Sequence, residues 1–226
     1  MFLEVFNQFA VGFGYTVGLF AVTLVAAIPL GIIVSLCSIS RFRPIKWLTK
    51  VFIWVVRGTP LLLQIIVITF IPSTVFALAN KDLASFFGVS VAGLNFIFAA
   101  VAFIINYSAY FAEIFRGGIE AIPRGQYEAA QVLGMKRGQT FFRVILPQVC
   151  KRILAPISNE VITLVKDTSL ARVIGVTELF MVAYNVVTTE AIIWPLFFAG
   201  LYYLLFNGLL TILFHAPEKK LSYYKV

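Results

Sequence analysis

The fold class follows from residues 5–40, which read VFNQFAVGFGYTVGLFAVTLVAAIPLGIIVSLCSIS and contain no charged side chain. A helix needs roughly 20 apolar residues to cross the hydrocarbon core of a bilayer, and this stretch is longer than that. Three further stretches without charge lie at 58–80, 83–112 and 191–217. The sequence therefore predicts an all-α integral membrane protein.

The composition of the 226 residues agrees with this class. Hydrophobic residues make up 61% of the chain and charged residues only 12%, against about 25% charged residues in a typical soluble domain. So few charges cannot cover the surface of a soluble globule of this size. One histidine and two cysteines provide neither a zinc site nor a disulfide framework. The chain also contains no GxxxxGK[ST] phosphate loop, so we expect it to have no cofactor of its own.

Five membrane-spanning helices are predicted, and together they form a single transmembrane domain over residues 1–226. Their bounds are near 12–38, 51–78, 92–115, 153–174 and 192–215. The fourth has the weakest signal, because charged residues interrupt its apolar pattern. We interpret the first as a retained helix rather than a cleaved signal peptide, since no basic segment precedes it and no small-residue cleavage site is evident.

The basic residues predict how the chain is oriented, because lysine and arginine concentrate in cytoplasmic loops. With the N-terminus outside, the inner segments are 39–50, 116–152 and 216–226, and they hold 14 of the 18 basic residues. The outer segments, near 79–91 and 175–191, are short loops that hold only Lys81. We therefore predict that the N-terminus lies outside and the C-terminus inside. The excess of positive charge is explained by this orientation in the membrane, and we expect no nucleic-acid partner.

The longest inner segment, 116–152, contains the most informative pattern. Pro123 can begin a helix, since the first turn does not need its missing N–H, and Gly134 can end that helix in a left-handed conformation. A second amphipathic piece starts near Phe141 and is expected to end at Pro147. The pattern predicts a short helix held away from the bilayer, with a surface of small residues on which another protein can dock.

The same segment contains a spaced motif. Its parts are Glu128-Ala129-Ala130, then Gly134 after three residues, then Val144-Ile145-Leu146-Pro147 after nine more. This arrangement resembles the signature loop of ATP-binding-cassette (ABC) importer permeases, with Val144 in place of the usual isoleucine. Three other motifs resemble the polar amino-acid uptake branch of that family, of the histidine, glutamine, arginine or glutamate type. They are Arg57-Gly58-Thr59-Pro60-Leu61-Leu62, Asn106-Tyr107-Ser108-Ala109-Tyr110 and Lys166-Asp167-Thr168-Ser169-Leu170.

The resemblance extends over about residues 10–216 and implies the MetI-like permease fold, with a cytoplasmic coupling helix between spans three and four. It implies that this helix inserts into a separate ATPase dimer, which would bind ATP and magnesium and carry out the hydrolysis. In that interface Glu128 would form a polar bond, while Ala129, Ala130 and Gly134 would allow close approach. This chain itself would then be no enzyme.

The other expected partners follow from the same resemblance and from size. An extracellular or periplasmic binding protein would deliver the amino-acid substrate, and the chain would lie among lipids of the bacterial plasma (inner) membrane. A five-helix chain encloses little more than its own core, so we expect a second permease chain, either identical or homologous, to pair with it.

Polar side chains within the spans are candidates for the substrate path, since a charge inside a bilayer costs roughly 2.5–3.5 kcal/mol on insertion scales. The candidates are Asn159, Glu160, Thr163 and Asp167 on one stripe of the fourth span, Glu113 in the third, and Arg57 and Gln64 in the second, where Pro60 predicts a kink. Charges of opposite sign on different helices match the two opposite charges of a zwitterionic substrate. The same charges can instead pair with one another, Glu113 with Arg116 and Asp167 with Lys166 or Arg172.

The predicted function is that of a permease subunit of an ATP-driven ABC importer, which moves a polar or charged amino acid across the plasma membrane by alternating access. The alternative is a proton- or ion-coupled secondary amino-acid transporter that uses Glu160, Lys166 and Asp167 as a relay. The short chain, the lack of an inverted repeat and the docking loop argue against that alternative. A membrane-embedded enzyme is disfavoured, because no catalytic constellation is evident.

Overall fold

The computed structural model describes the backbone of residues 2–221 and the side chains of residues 5–217 and Lys219. The described part is helical and contains no strand, which confirms the all-α prediction. Its α-helices are α1 (Phe2–Ser38), α2 (Arg43–Gly58), α3 (Leu61–Val75), α4 (Asn80–Phe86), α5 (Val91–Glu120), α6 (Arg124–Val132), α7 (Arg137–Thr140), α8 (Leu146–Asp167), α9 (Leu179–Glu190) and α10 (Trp194–Leu221). A π-helical turn, Phe141–Ile145, joins α7 to α8, and a 3₁₀ segment, Thr168–Ile174, follows α8.

Among the described residues, three helices are long and apolar enough to cross a membrane. They lie within α1, α5 and α10. Two bent helix pairs pass the same test of length and composition only when each pair is taken together. The described part of the chain thus has between three and five candidate spans.

The second predicted span, 51–78, with a kink at Pro60, is divided between two helices in the structure. Helices α2 and α3 meet at an angle of 108°. The ring of Pro60 disfavours helical torsion angles in the residue before it, and Thr59 is accordingly extended, with φ −118° and ψ 144°. Pro60 predicted a kink within one helix, and the structure has a sharp bend between two helices instead.

Two loop predictions are also wrong. The outer segments 79–91 and 175–191 contain helices α4 and α9. Helix α9 begins where the carboxylate of Glu178 accepts hydrogen bonds from the N–H groups of Phe180 and Met181, both at 2.7 Å. A side chain that satisfies free N–H groups in this way stabilises the first turn of a helix.

Pro147 does not end the amphipathic piece that begins near Phe141. The N–H of Leu146 bonds the carbonyl of Phe141, so the helix widens to the π register just before the proline. Pro147 then lies in the first turn of α8, where a missing N–H costs little. The helical path consequently continues from Arg137 to Ile174.

Close packing of α1 against α5 forms the centre of the fold. Leu19, Phe103 and Phe111 are fully buried there. A Cβ atom built on Gly31 of α1 would lie 2.8 Å from the Cβ of Phe111, whereas one on Gly14 of the same helix would meet nothing within 4 Å. Gly31 therefore allows the two helices to approach, and Gly14 lies on an open face.

The two glycines provide a matched test of this packing. Gly31→Ala is expected to lower the midpoint of thermal unfolding of the purified chain by roughly 2–12 °C, because overpacking costs about 1–3 kcal/mol. Gly14→Ala is expected to leave the midpoint unchanged or to raise it, since alanine is the better helix former. Equal midpoints for the two variants would contradict the close approach at Gly31.

Candidate functional site

The break between α2 and α3 opens onto a cavity of about 460 Å³, here named the central cavity. Its wall is formed by Arg57, Gly58, Thr59, Pro60 and Leu61 at the break, by Asn106, Tyr107 and Tyr110 of α5, and by Glu160, Thr163 and Asp167 of α8. The structure thus brings polar side chains from three helices to one place. Its volume lies in the range of small-molecule sites.

The polar stripe predicted on α8 divides into two rows. Glu160, Thr163 and Asp167 line the central cavity and are half-buried. Asn159 and Lys166 are exposed and are not among the lining residues. Successive residues of an α-helix point about 100° apart, so a difference of one position is enough to move a side chain from the cavity to the outside.

Asp167 has a partner that the sequence did not predict. The hydroxyl of Tyr107, which is almost fully buried, donates a hydrogen bond of 2.7 Å to Oδ2 of Asp167. Arg172, one of the expected partners, instead lies over the rings of Phe180 and Tyr184, at 4.9 and 5.2 Å from their centroids. Glu160 makes no hydrogen bond or ion pair with another described residue, so its carboxylate remains open to the cavity.

Gln64 braces the break between α2 and α3. Its Nε2 donates to the carbonyl of Val56 and to the hydroxyl of Thr59, both at 2.8 Å, while its Oε1 accepts from Nδ2 of Asn106 at 3.0 Å. Nε2 also donates to the carbonyl of Thr59 at 3.1 Å, so Gln64 satisfies two backbone carbonyls at the end of α2. Gln64 therefore fixes the shape of the cavity wall and is not among the residues that line it.

A second cavity, named the inner cavity after the predicted orientation of the chain, has a volume of about 490 Å³ and lies between α2 and α5. Its wall is formed by Lys50, Ile53, Trp54, Arg57, Gly58, Tyr110, Glu113 and Arg116. Three of these residues, Arg57, Gly58 and Tyr110, also line the central cavity. The guanidinium of Arg57 lies 5.1 Å from the ring centroid of Tyr110, so this pair stands between the two cavities.

Glu113 lines the inner cavity and not the central one. Its Oε2 is 2.5 Å from Nη2 of Arg116, the i, i+3 pair that the sequence allowed, and its Oε1 is 4.0 Å from Nη1 of Arg57. Arg116 also contacts Glu120 at 2.6 Å. Glu113 is thus largely neutralised within its own helix, while Arg57 keeps only a long contact with it.

The short helix predicted in the inner segment is confirmed as α6. Pro123 precedes it with extended torsion angles, and Gly134 follows its end with φ +71°, a conformation that favours glycine. The N–H groups of Gly134 and Met135 bond the carbonyls of Gln131 and Ala130, each at 3.0 Å. This is the double hydrogen bond of the Schellman motif, which satisfies the last carbonyls of a helix.

The residues of the spaced motif lie on different sides of α6. Ala130 is only 3% exposed and packs on the chain itself, whereas Glu128, Ala129 and Gly134 are exposed. No side chain within 4 Å would meet a Cβ at Gly134. Val132 and Leu133 are also open, at 87% and 79% exposure. The helix thus presents acidic, small and apolar residues to solvent, a surface that a partner can cover.

Sequence reasoning missed Tyr107 as a partner of Asp167, and it missed Glu178. The carboxylate of Glu178 is fully buried and accepts a hydrogen bond of 3.0 Å from the hydroxyl of Tyr203, in addition to its bonds at the start of α9. Close by, the N–H of Leu179 donates to the hydroxyl of Thr16. The signal for Glu178 was a lone acid within the apolar run after Arg172.

The chain matches known proteins along most of its length. The family model described as "Binding-protein-dependent transport system inner membrane component" matches residues 27–223. The arginine transport system permease protein ArtQ of Bacillus subtilis (strain 168) is 37% identical over 212 residues, which cover 93% of this chain and 91% of that protein. The L-cystine transport system permease protein TcyB of the same organism is 35% identical over 215 residues, with 94% and 86% covered.

Two solved structures resemble the fold. A crystal structure of an amino acid ABC transporter with histidines has a TM-score of 0.80 and 30% identity, with 97% of this chain and 96% of that chain covered. An inward-facing structure of the MetNI methionine ABC transporter has a TM-score of 0.65 and 15% identity, with 96% and 94% covered. The second similarity concerns the fold alone, and it agrees with the MetI-like fold expected from the sequence.

Proposed function

Because the chain belongs to the family of binding-protein-dependent transport system inner membrane components, we propose that it binds a polar or charged amino acid in its central cavity and passes it inward across the membrane. It is a permease subunit of an ABC importer, and ATP hydrolysis belongs to a separate subunit. The observation that carries the proposal is the central cavity, where Glu160 and Asp167 of α8 lie in one wall and Arg57 in another.

The roles of the cavity residues follow from their charge and bonding. Glu160, which makes no hydrogen bond or ion pair with another described residue, attracts the ammonium group or a cationic side chain of the substrate. Asp167, held by Tyr107, adds a second negative charge two turns further along α8. Arg57 binds the substrate carboxylate, and Thr163 offers a hydroxyl between the two acids. Asn159, exposed and outside the cavity, has a lesser role in this proposal.

The route to the cytoplasm passes Arg57. This residue lies between the central and inner cavities, and its contact with Glu113 is 4.0 Å long. A substrate that leaves the central cavity displaces Arg57 from Tyr110 and enters the space beside Glu113 and Arg116. These side chains form the inner part of the path, in keeping with alternating access around a fixed central site.

The proposed topology has five spans, formed by α1, α3, α5, α8 and α10, with the N-terminus outside and the C-terminus inside. The distribution of basic residues supports this orientation. Lys225, one of the bases in the predicted C-terminal inner segment, lies outside the described residues. Labelling of a cysteine at position 136 by an impermeant reagent, applied to intact cells, would contradict this orientation.

The family implies an ATPase and a substrate-binding protein as partners. We propose that α6 docks on the ATPase dimer from the cytoplasmic side, through Glu128, Ala129 and Gly134, with Ala130 holding the helix on its own chain. A second permease chain, identical or homologous, completes the pore, and ATP with magnesium binds the ATPase alone. The assembly resides in the bacterial plasma membrane.

The ion-coupled alternative has no support in these similarities, because the similar proteins are ABC transporters or transport system permeases. The test is uptake of labelled amino acids by the complex reconstituted with its ATPase and binding protein. We expect ATP-dependent uptake of one or a few amino acids from a panel of cationic, acidic, amide and sulfur-containing members. Uptake that needs a proton gradient and no ATP would contradict the proposal.

A further inference from the structure

Helix α2 has an exposed face that the central cavity does not use. Arg43, Lys46 and Lys50 are spaced three and four residues apart, so they form one stripe along the helix. Trp47 and Trp54 lie four residues after Arg43 and Lys50, so they form a second stripe next to the first on the same face of the helix. The helix contains no acidic residue, and none of the three bases forms an ion pair with a described residue.

Burial separates this face from the one that holds α2 on the protein. Ile53 and Val56 are buried, with exposures of 4% and 8%. Trp47, Leu48 and Trp54 have exposures of 67%, 64% and 75%, although apolar rings of this size are rarely left in water. A helix with basic residues on one stripe and tryptophan and leucine beside it is typical of segments that lie in the membrane interface.

The bend at Thr59 gives α2 the direction that such a segment needs. At 108° to α3, it lies close to the membrane plane when α3 crosses the bilayer. This step rests on the proposed topology, in which α2 follows the cytoplasmic end of α1. The basic stripe then meets the phosphates of the inner leaflet, and the two indoles lie at the depth where tryptophan is enriched in membrane proteins.

We propose that the exposed face of α2 is a binding surface for anionic phospholipid headgroups of the inner leaflet. Arg43, Lys46 and Lys50 contact the phosphates, and Trp47, Leu48 and Trp54 insert among the glycerol groups and upper acyl chains. Charge complementarity selects anionic over zwitterionic lipid, because a cluster of basic residues next to a membrane attracts anionic headgroups. Lys50 and Trp54 also line the inner cavity, so a bound headgroup sits at its edge.

The two tryptophans allow a direct test, because the chain has only three tryptophans and the third is Trp194. The full chain with Trp194→Phe is reconstituted in two sets of vesicles with the same mixture of phosphatidylglycerol and phosphatidylcholine. One set has bromine, a quencher of indole fluorescence, on phosphatidylglycerol, and the other has it on phosphatidylcholine at the same mole fraction. We expect quenching by brominated phosphatidylglycerol to be stronger by about threefold or more.

Charge variants of α2 distinguish specific binding of anionic headgroups from mere proximity of the indoles to lipid. The double variant Lys46→Gln/Lys50→Gln is expected to reduce this ratio to about one. The matched control, Lys136→Gln/Arg137→Gln, removes the same charge from exposed positions of the α6–α7 region and is expected to keep the ratio. Equal quenching by the two lipids in the Trp194→Phe chain would overturn the proposal. No quenching by either lipid, which would mean that protein covers α2, would overturn it as well.

The depth of the indoles in the bilayer tests whether α2 lies in the membrane plane. This test is independent of which lipid α2 prefers and of which substrate is transported. With Trp194→Phe combined with Trp47→Phe or with Trp54→Phe, each variant keeps one indole of α2. If α2 lies in the plane, the ratio of quenching by shallow bromines to quenching by deep bromines should be the same in the two variants. If α2 crossed the bilayer, seven residues would separate the two depths by about 10 Å. Unequal depths would overturn the in-plane placement, whereas an error in the transported substrate would leave every quenching result unchanged.

Discussion

Glu160→Gln is expected to lower ATP-dependent uptake by the reconstituted transporter by at least about tenfold at limiting substrate concentration. The variant keeps the size of the side chain and removes its charge. Removal of one charge from a desolvated ion pair costs about 2–5 kcal/mol, and about 1.4 kcal/mol already corresponds to a factor of ten in affinity. The large effect follows from the position of Glu160, which is half-buried in the central cavity and makes no hydrogen bond or ion pair with another described residue.

The matched control is Glu190→Gln, the same chemical change at an exposed carboxylate that ends α9. It is expected to leave uptake unchanged. The amount of assembled complex in the vesicles should be equal for both variants and for the unchanged protein. Normal uptake kinetics in Glu160→Gln would remove Glu160 from the substrate path and would leave Asp167 as the remaining acid of the cavity.

Glu128→Lys is expected to reduce the amount of ATPase that co-purifies with the chain by at least about tenfold. Glu128 is exposed on α6, the helix proposed to dock on the ATPase. A lysine at this position would repel a positively charged group of the ATPase that pairs with the glutamate. A like-charge contact at an interface costs several kcal/mol. The change within α6 itself amounts to at most about 1 kcal/mol through the helix dipole, which is too little to account for a lost partner.

Glu190→Lys is the matched charge reversal on a different part of the molecule, and it should keep the ATPase bound. Both variants should insert into the membrane in normal amounts, which cell fractionation measures. If the ATPase co-purified normally with Glu128→Lys, docking through this face of α6 would be refuted. Val132 and Leu133, which are exposed at the end of α6, would then be the remaining candidate contacts for the ATPase.

The long helices were predictable because their signal is local and strong. Stretches without charge identified α1, α5 and α10, and the pair Pro123 and Gly134 identified α6. The sharp turn at Thr59 was not predicted, although Pro60 indicated a kink. A hydropathy profile is averaged over a window of residues. Two consecutive apolar helices that point in different directions therefore give one continuous signal.

The candidate site was predicted at the level of the helix and not at the level of the side chain. Spacing identified a polar stripe on α8, but the choice between the rows of Asn159 and Glu160 depends on how the helix is rotated against its neighbours. Rotation is set by packing with distant segments. The bond between Tyr107 and Asp167 joins residues 60 positions apart, so no local pattern contains it.

The π-helical turn before Pro147 determines the rotational phase between the two ends of the helical path from Arg137 to Ile174. A π turn accommodates one residue more than an α turn, and one residue corresponds to about 100° of rotation. Deletion of a residue from 141–145 that restored a regular α-helix would therefore rotate the row of Glu160 and Asp167 relative to α7. The register of these five residues thus sets which face of α7 lies in line with the row of α8 that lines the central cavity.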